Sequence, residues 1–110
     1  MKNIELREVL LDLGIFSNIQ GYHFILESYN IISKQKIHTS MTTVYRTIGK
    51  KFGKNCSSVE RAIRHSIQKC WKYGNLNKIY NQLPDNSVFL YDLYFNLDII
   101  KNKLKKENKQ

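Results

Sequence analysis

The sequence predicts an all-α domain of six helices, with the third and fourth forming a helix-turn-helix. Three observations carry that expectation. Apolar residues recur at three- and four-residue spacing in one segment after another, and nowhere alternate with period two for the length of a strand. Residues that stop helices, Gly14, Gly53, Gly74 and the single Pro84, fall where those patterns end. The short turn Gly53-Lys54-Asn55-Cys56 separates two such segments, and a turn of this kind is what a helix-turn-helix needs.

The first helix covers residues 3–13, turns Ile4, Val9, Leu10 and Leu13 inward, and stops at Gly14. The second covers 21–33 and buries Tyr22, Ile25, Leu26, Tyr29 and Ile32. The third covers 43–52 and ends at Gly53. Gly49 inside it costs about 0.5–1 kcal/mol relative to alanine. Together with Ala62, the only alanine in the chain, Gly49 predicts a close backbone crossing of the third helix on the fourth. The fourth helix runs from Ser57 through Trp71 to about Tyr73. Ser57 followed by Glu60 is a capping-box pair, and Gly74 offers a left-handed stop. Val59, Ala62, Ile63, Ile67, Cys70 and Trp71 form its inward stripe. A short fifth helix, 76–83, is broken by Pro84. The sixth starts at an Asn86 or Ser87 cap and runs through Phe89, Leu90, Leu93, Leu97 and Ile100. Residues 1–104 then make one domain, and 105–110 a frayed basic tail.

A chain of 110 residues can bury a core of its own. No apolar run reaches the roughly 18–20 residues of a membrane span. Glu5, Glu8 and Asp12 near the N-terminus are wrong for a secretory signal. Cys56 sits in the turn and Cys70 on the apolar stripe, which argues against a disulfide framework and for a reducing, cytoplasmic setting. His23, His38 and His65 have no metal-ligand spacing with each other or with the cysteines. With no phosphate-cradling glycine loop, nucleophile–base pair or paired carboxylates, the sequence points away from an enzyme and calls for no cofactor or metal.

The net charge of +9 is informative through its distribution. Segment 46–78 carries nine basic side chains (Arg46, Lys50, Lys51, Lys54, Arg61, Arg64, Lys69, Lys72 and Lys78) against the single Glu60. The segments on either side are close to balanced. A cationic block of this kind is the footprint of a partner with a phosphate backbone. On the fourth helix, Ser58, Glu60, Arg61, Arg64, His65 and Gln68 stand opposite the apolar stripe, and all can exchange hydrogen bonds with base edges or phosphates. Arg61 and Arg64 lie one turn apart, and each guanidinium can take guanine O6 and N7 together. Glu60 fits three roles: closing the capping box, accepting from a cytosine amino group, or orienting Arg64 as an i,i+4 pair. His65 is either a phosphate contact or simply half-exposed, and Trp71 reads as core.

The run Val59-Glu60-Arg61-Ala62-Ile63-Arg64-His65, continuing through Trp71 and Gly74-Asn75, resembles the recognition helix of a known family. That family is the C-terminal DNA-binding (effector) domain of stage 0 sporulation protein A, a sporulation response regulator. Gly14, Ile19, Gly21-Tyr22, Ile48, Lys50-Lys51-Phe52, Pro84, Asn86-Ser87 and Phe89 extend the resemblance over nearly the whole chain. It implies a six-helix domain that reads promoter boxes in double-stranded DNA as a tandem homodimer, with the fourth helix in the major groove. Base readout would fall to Ser58, Glu60, Arg61 and Arg64, and phosphate contact to Lys50, Lys51, Lys54, His65 and Gln68.

The chain departs from the family in three ways. Ser58 stands where the family usually has an arginine, and a serine cannot make the bidentate guanine contact. Segment 74–84, the counterpart of the family's contact with the sigma subunit of RNA polymerase, is shorter here. The 110 residues carry the effector part without the receiver domain. A different class of reading is a protein-interaction module that pairs with and modulates a full-length regulator of this type through the stripe Phe89-Leu93-Leu97-Ile100.

Overall fold

A computed structural model describes residues 2–17, 19–35 and 39–108; of the residues named above, His38 and the end of the basic tail lie outside these. Among the described residues there is no strand. Six α-helices follow one another: α1 (Lys2–Leu13), α2 (Gln20–Gln35), α3 (Met41–Phe52), α4 (Cys56–Tyr73), α5 (Asn86–Phe95) and α6 (Leu97–Asn108). α2 is the central helix, packed on α1, α3, α4 and α5, while α6 closes over α1. Phe24 and Phe89 are the largest fully buried side chains, set among Leu6, Leu10, Ile25, Ile48, Ile63 and Ile67. None of the described helices is long and apolar enough to cross a membrane.

The first four helices fall where the apolar periodicity predicts, with differences in detail. In α1 the inward residue of the first turns is Leu6, and Ile4 is exposed. The Ser57–Glu60 capping box does not form. Asn55 caps α4, its Oδ1 accepting from the Ser58 N–H at 2.8 Å and from Ser57 Oγ at 2.9 Å. An asparagine cap contributes about 1 kcal/mol and starts the helix at Cys56, inside the expected turn. α3 begins at a Ser40 cap and ends at Gly53, whose φ of 70° lets the next N–H turn back onto the Gly49 carbonyl. Gly74 does not adopt the left-handed stop, since its φ is −108°. It is instead a point of close approach: a Cβ there would lie 2.4 Å from the Leu13 carbonyl oxygen.

The Gly49–Ala62 crossing is also absent. A Cβ on Gly49 would meet the Lys54 carbonyl oxygen at 2.3 Å, so that glycine makes room for the turn following its own helix. Ala62 presents its carbonyl to Gly21 of α2, and the tight crossing is therefore α2 on α4.

The C-terminal third divides differently from the periodicity. Of the expected fifth helix only a 3-10 turn, Leu76–Lys78, forms. Leu76 is its one fully buried apolar residue, and Asn77 Nδ2 donates to the Trp71 carbonyl at 2.9 Å, competing with helical continuation. Tyr80 then ends the segment, its hydroxyl donating to Asp92 Oδ2 at 2.6 Å. The expected sixth helix is two. Asn96 breaks it: its N–H closes α5 on Asp92 O, while its own carbonyl accepts from Ile100 N–H to open α6. Neither Asn86 nor Ser87 caps α5; Asp85 holds the cap position without a side-chain bond. α6 stays helical through 105–108, into the stretch expected to fray.

Cys70 is buried, and its thiol donates to the Leu13 carbonyl at 2.9 Å. Burial pushes that thiol up to about 11, so it stays protonated and unreactive at neutral pH. Alkylation of the native protein at pH 8 is expected to label one thiol promptly, at the partly exposed Cys56, and Cys70 only as fast as the chain unfolds. Mass spectrometry over time checks this; prompt double labelling would contradict the burial of Cys70.

Candidate nucleic-acid interface

All nine basic residues of segment 46–78 are exposed. The apolar stripe of α4 forces this: Val59, Ile63, Ile67 and Cys70 are each at most 2% exposed, so the helix turns its other face outward. Ser58, Arg61, His65 and Gln68 follow one another at three- and four-residue intervals along that face, and all are exposed. Glu60 and Arg64 form the adjoining row. Glu60 is only partly exposed, and its Oε2 accepts from Arg64 Nη1 at 3.0 Å. The pair role of Glu60 is thus realised in the free domain and the capping role is not.

The lysines separate by environment. Lys50 and Lys51 lie in the last turn of α3, where cations complement the helix dipole, and Lys54 lies in the turn before α4. Lys51 Nζ pairs with Glu27 Oε1 of α2 at 2.8 Å. Lys50, Lys54 and Arg61 have no ion pair among the described residues. Glu27 is 24 positions from Lys51, and no local pattern in the sequence links them.

Beside Glu60 and Arg64 a cleft of about 440 Å3 opens between α3, α4 and the segment before α5. Asn86 lines it. Its Nδ2 donates to the Glu60 carbonyl oxygen and to the Tyr45 hydroxyl, both at 3.1 Å. Burial pushes the Tyr45 phenol up, and the Asn86 bond partly offsets this. In the sequence Asn86 stands out only as one of two candidate caps, Asn86 or Ser87, and nothing local points to this role.

The surface named for the interaction-module reading is used up by the fold. Phe89, Leu93, Leu97 and Ile100 are between 0% and 7% exposed, because the break at Asn96 lets α5 cover α2 while α6 covers α1.

A helical domain that exposes a dense cationic block on a helix end, a tight turn and the outward face of the next helix has the character of a helical DNA-binding domain. The chain belongs to the family described as sporulation initiation factor Spo0A, C terminal, whose model matches residues 6–104. This is the DNA-binding effector domain of a sporulation regulator and not an enzyme class, so DNA binding and transcription regulation are the domain's role.

Proposed function

We propose that this domain is a sequence-specific reader of promoter boxes in double-stranded DNA, with α4 entering the major groove as the second helix of a helix-turn-helix. The observation that carries the reading is the exposure of eight cations against one acid, Glu60, across α3, the turn and α4. In this reading Arg61 and Arg64 read bases, with Ser58 and Glu60 beside them. Lys50, Lys54, His65 and Gln68 hold phosphates. Lys51 joins them at a discount, because its pair with Glu27 must be shared or broken on DNA. The domain acts in the cytoplasm as a tandem homodimer on adjacent boxes. The sigma contact implied by the resemblance would have only the short span 74–84 to rest on, and it forms no part of the proposal.

The test is binding to a sporulation-type box and to a scrambled duplex between 50 and 200 mM salt. Each phosphate contact contributes about 0.9 to the slope of log affinity against log salt. The Lys50→Ala/Lys54→Ala double variant is expected to flatten that slope by about 1.8, equally on both duplexes. A wild-type domain that binds both duplexes alike would end the base-reading proposal, and an unchanged slope would remove the two lysines from the interface.

A further inference from the structure

The α5 residue Asn86 does something that neither capping nor core packing requires. It is buried, 9% exposed, and its amide nitrogen bridges two other helices: the Glu60 main-chain oxygen of α4 and the Tyr45 hydroxyl of α3. We propose that Asn86 is a positioning residue for DNA recognition, fixing the rotation of α4 about its own axis and thereby the aim of Arg61 and Arg64. The inference rests on the reading of α4 as the recognition helix.

The apolar stripe of α4 holds the helix to the core, but hydrophobic contact has no direction and tolerates small rotations. A buried hydrogen bond is directional, and it is costly to leave unmade. Asn86 grips α4 at Glu60, the residue whose carboxylate holds the Arg64 guanidinium at 3.0 Å. Main-chain anchor and side-chain aim therefore meet at one position. A rotation of about 10° moves a group carried roughly 6 Å from a helix axis by about 1 Å. That displacement ruins a bidentate guanine contact and leaves attraction to phosphates nearly intact. Tyr45 ties the same amide to α3, so the two helices joined by the 53–55 turn share one fastening.

Asn86→Leu keeps the side-chain size, removes both N–H donors and introduces no charge beside Glu60 and Arg64. Its affinity is to be measured on the box and on a scrambled duplex, at a temperature where circular dichroism shows native helix content. The expected result is a specific-to-scrambled ratio at least about five-fold below wild type, with scrambled-duplex affinity and salt slope kept within about two-fold. Tyr45→Phe, which removes the second acceptor, should lower the ratio by about two-fold. A folded Asn86→Leu variant that keeps the wild-type ratio overturns the proposal, and so does one that loses affinity equally on both duplexes, the mark of a merely structural role. Should Asn86→Leu fail to fold, Tyr45→Phe decides, and an unchanged ratio overturns the proposal. A wild-type domain that does not discriminate is a separate result: it removes the base-reading function itself, and the positioning role with it.

Discussion

Gly21→Ala is expected to destabilise the domain by about 3 kcal/mol, a loss of roughly 10–20 °C in the unfolding midpoint for a chain of this size. In an isolated helix the same change would be favourable by up to about 1 kcal/mol. The opposite sign here comes from the crossing of α2 on α4. A Cβ at Gly21 would sit 1.8 Å from Ser66 Oγ and 2.7 Å from the Ala62 carbonyl oxygen. The hydroxyl belongs to a single side chain, bonded to Ala62 O at 3.0 Å on its own helix, and it can be removed. The carbonyl is backbone and cannot yield unless α4 moves. Ser66→Ala in the Gly21→Ala background should therefore recover part of the loss and not all of it. Thermal unfolding of the four members of this cycle measures both parts. A Gly21→Ala midpoint within about 2 °C of wild type would mean the two helices do not approach this closely.

That crossing also marks where the sequence stops being legible. α1 to α4 could be read because each carries a long apolar stripe, and α1 and α3 also end at a glycine with positive φ. Those are local signals. Gly49 and Ala62 are equally visible as small residues, yet which small residue faces which helix depends on three-dimensional packing, and Gly21 meets α4 more than 40 positions away. The same limit explains the last two helices. The inward pattern Phe89, Leu90, Leu93, Leu97, Ile100 is continuous across Asn96, because α5 and α6 both face the core on either side of the break. At the candidate interface, exposure followed directly from the stripe of α4. Ion pairing did so only where it was local: Glu60–Arg64 is an i,i+4 pair and could be foreseen, whereas Glu27–Lys51 joins two helices and could not.

Arg61→Ala is expected to cost about 1–3 kcal/mol on the specific box and little on a scrambled duplex, relaxing preference at one base position. Arg61 is exposed and has no ion pair among the described residues, so its guanidinium is available in full. Arg64→Ala should behave differently although it lies one turn away. Removing Arg64 leaves the Glu60 carboxylate unpaired and facing phosphates, so affinity should fall on every duplex as well as on the box. The discriminating variant is Glu60→Gln, which keeps a hydrogen-bonding side chain and removes the charge. If Glu60 mainly restrains Arg64, this variant should bind scrambled DNA more tightly and lose part of its preference for the box. If Glu60 instead accepts from a cytosine amino group, the loss on the box should persist in the Arg64→Ala background. Equal losses on box and scrambled duplex for Arg61→Ala would take base reading away from that residue and leave it a phosphate contact.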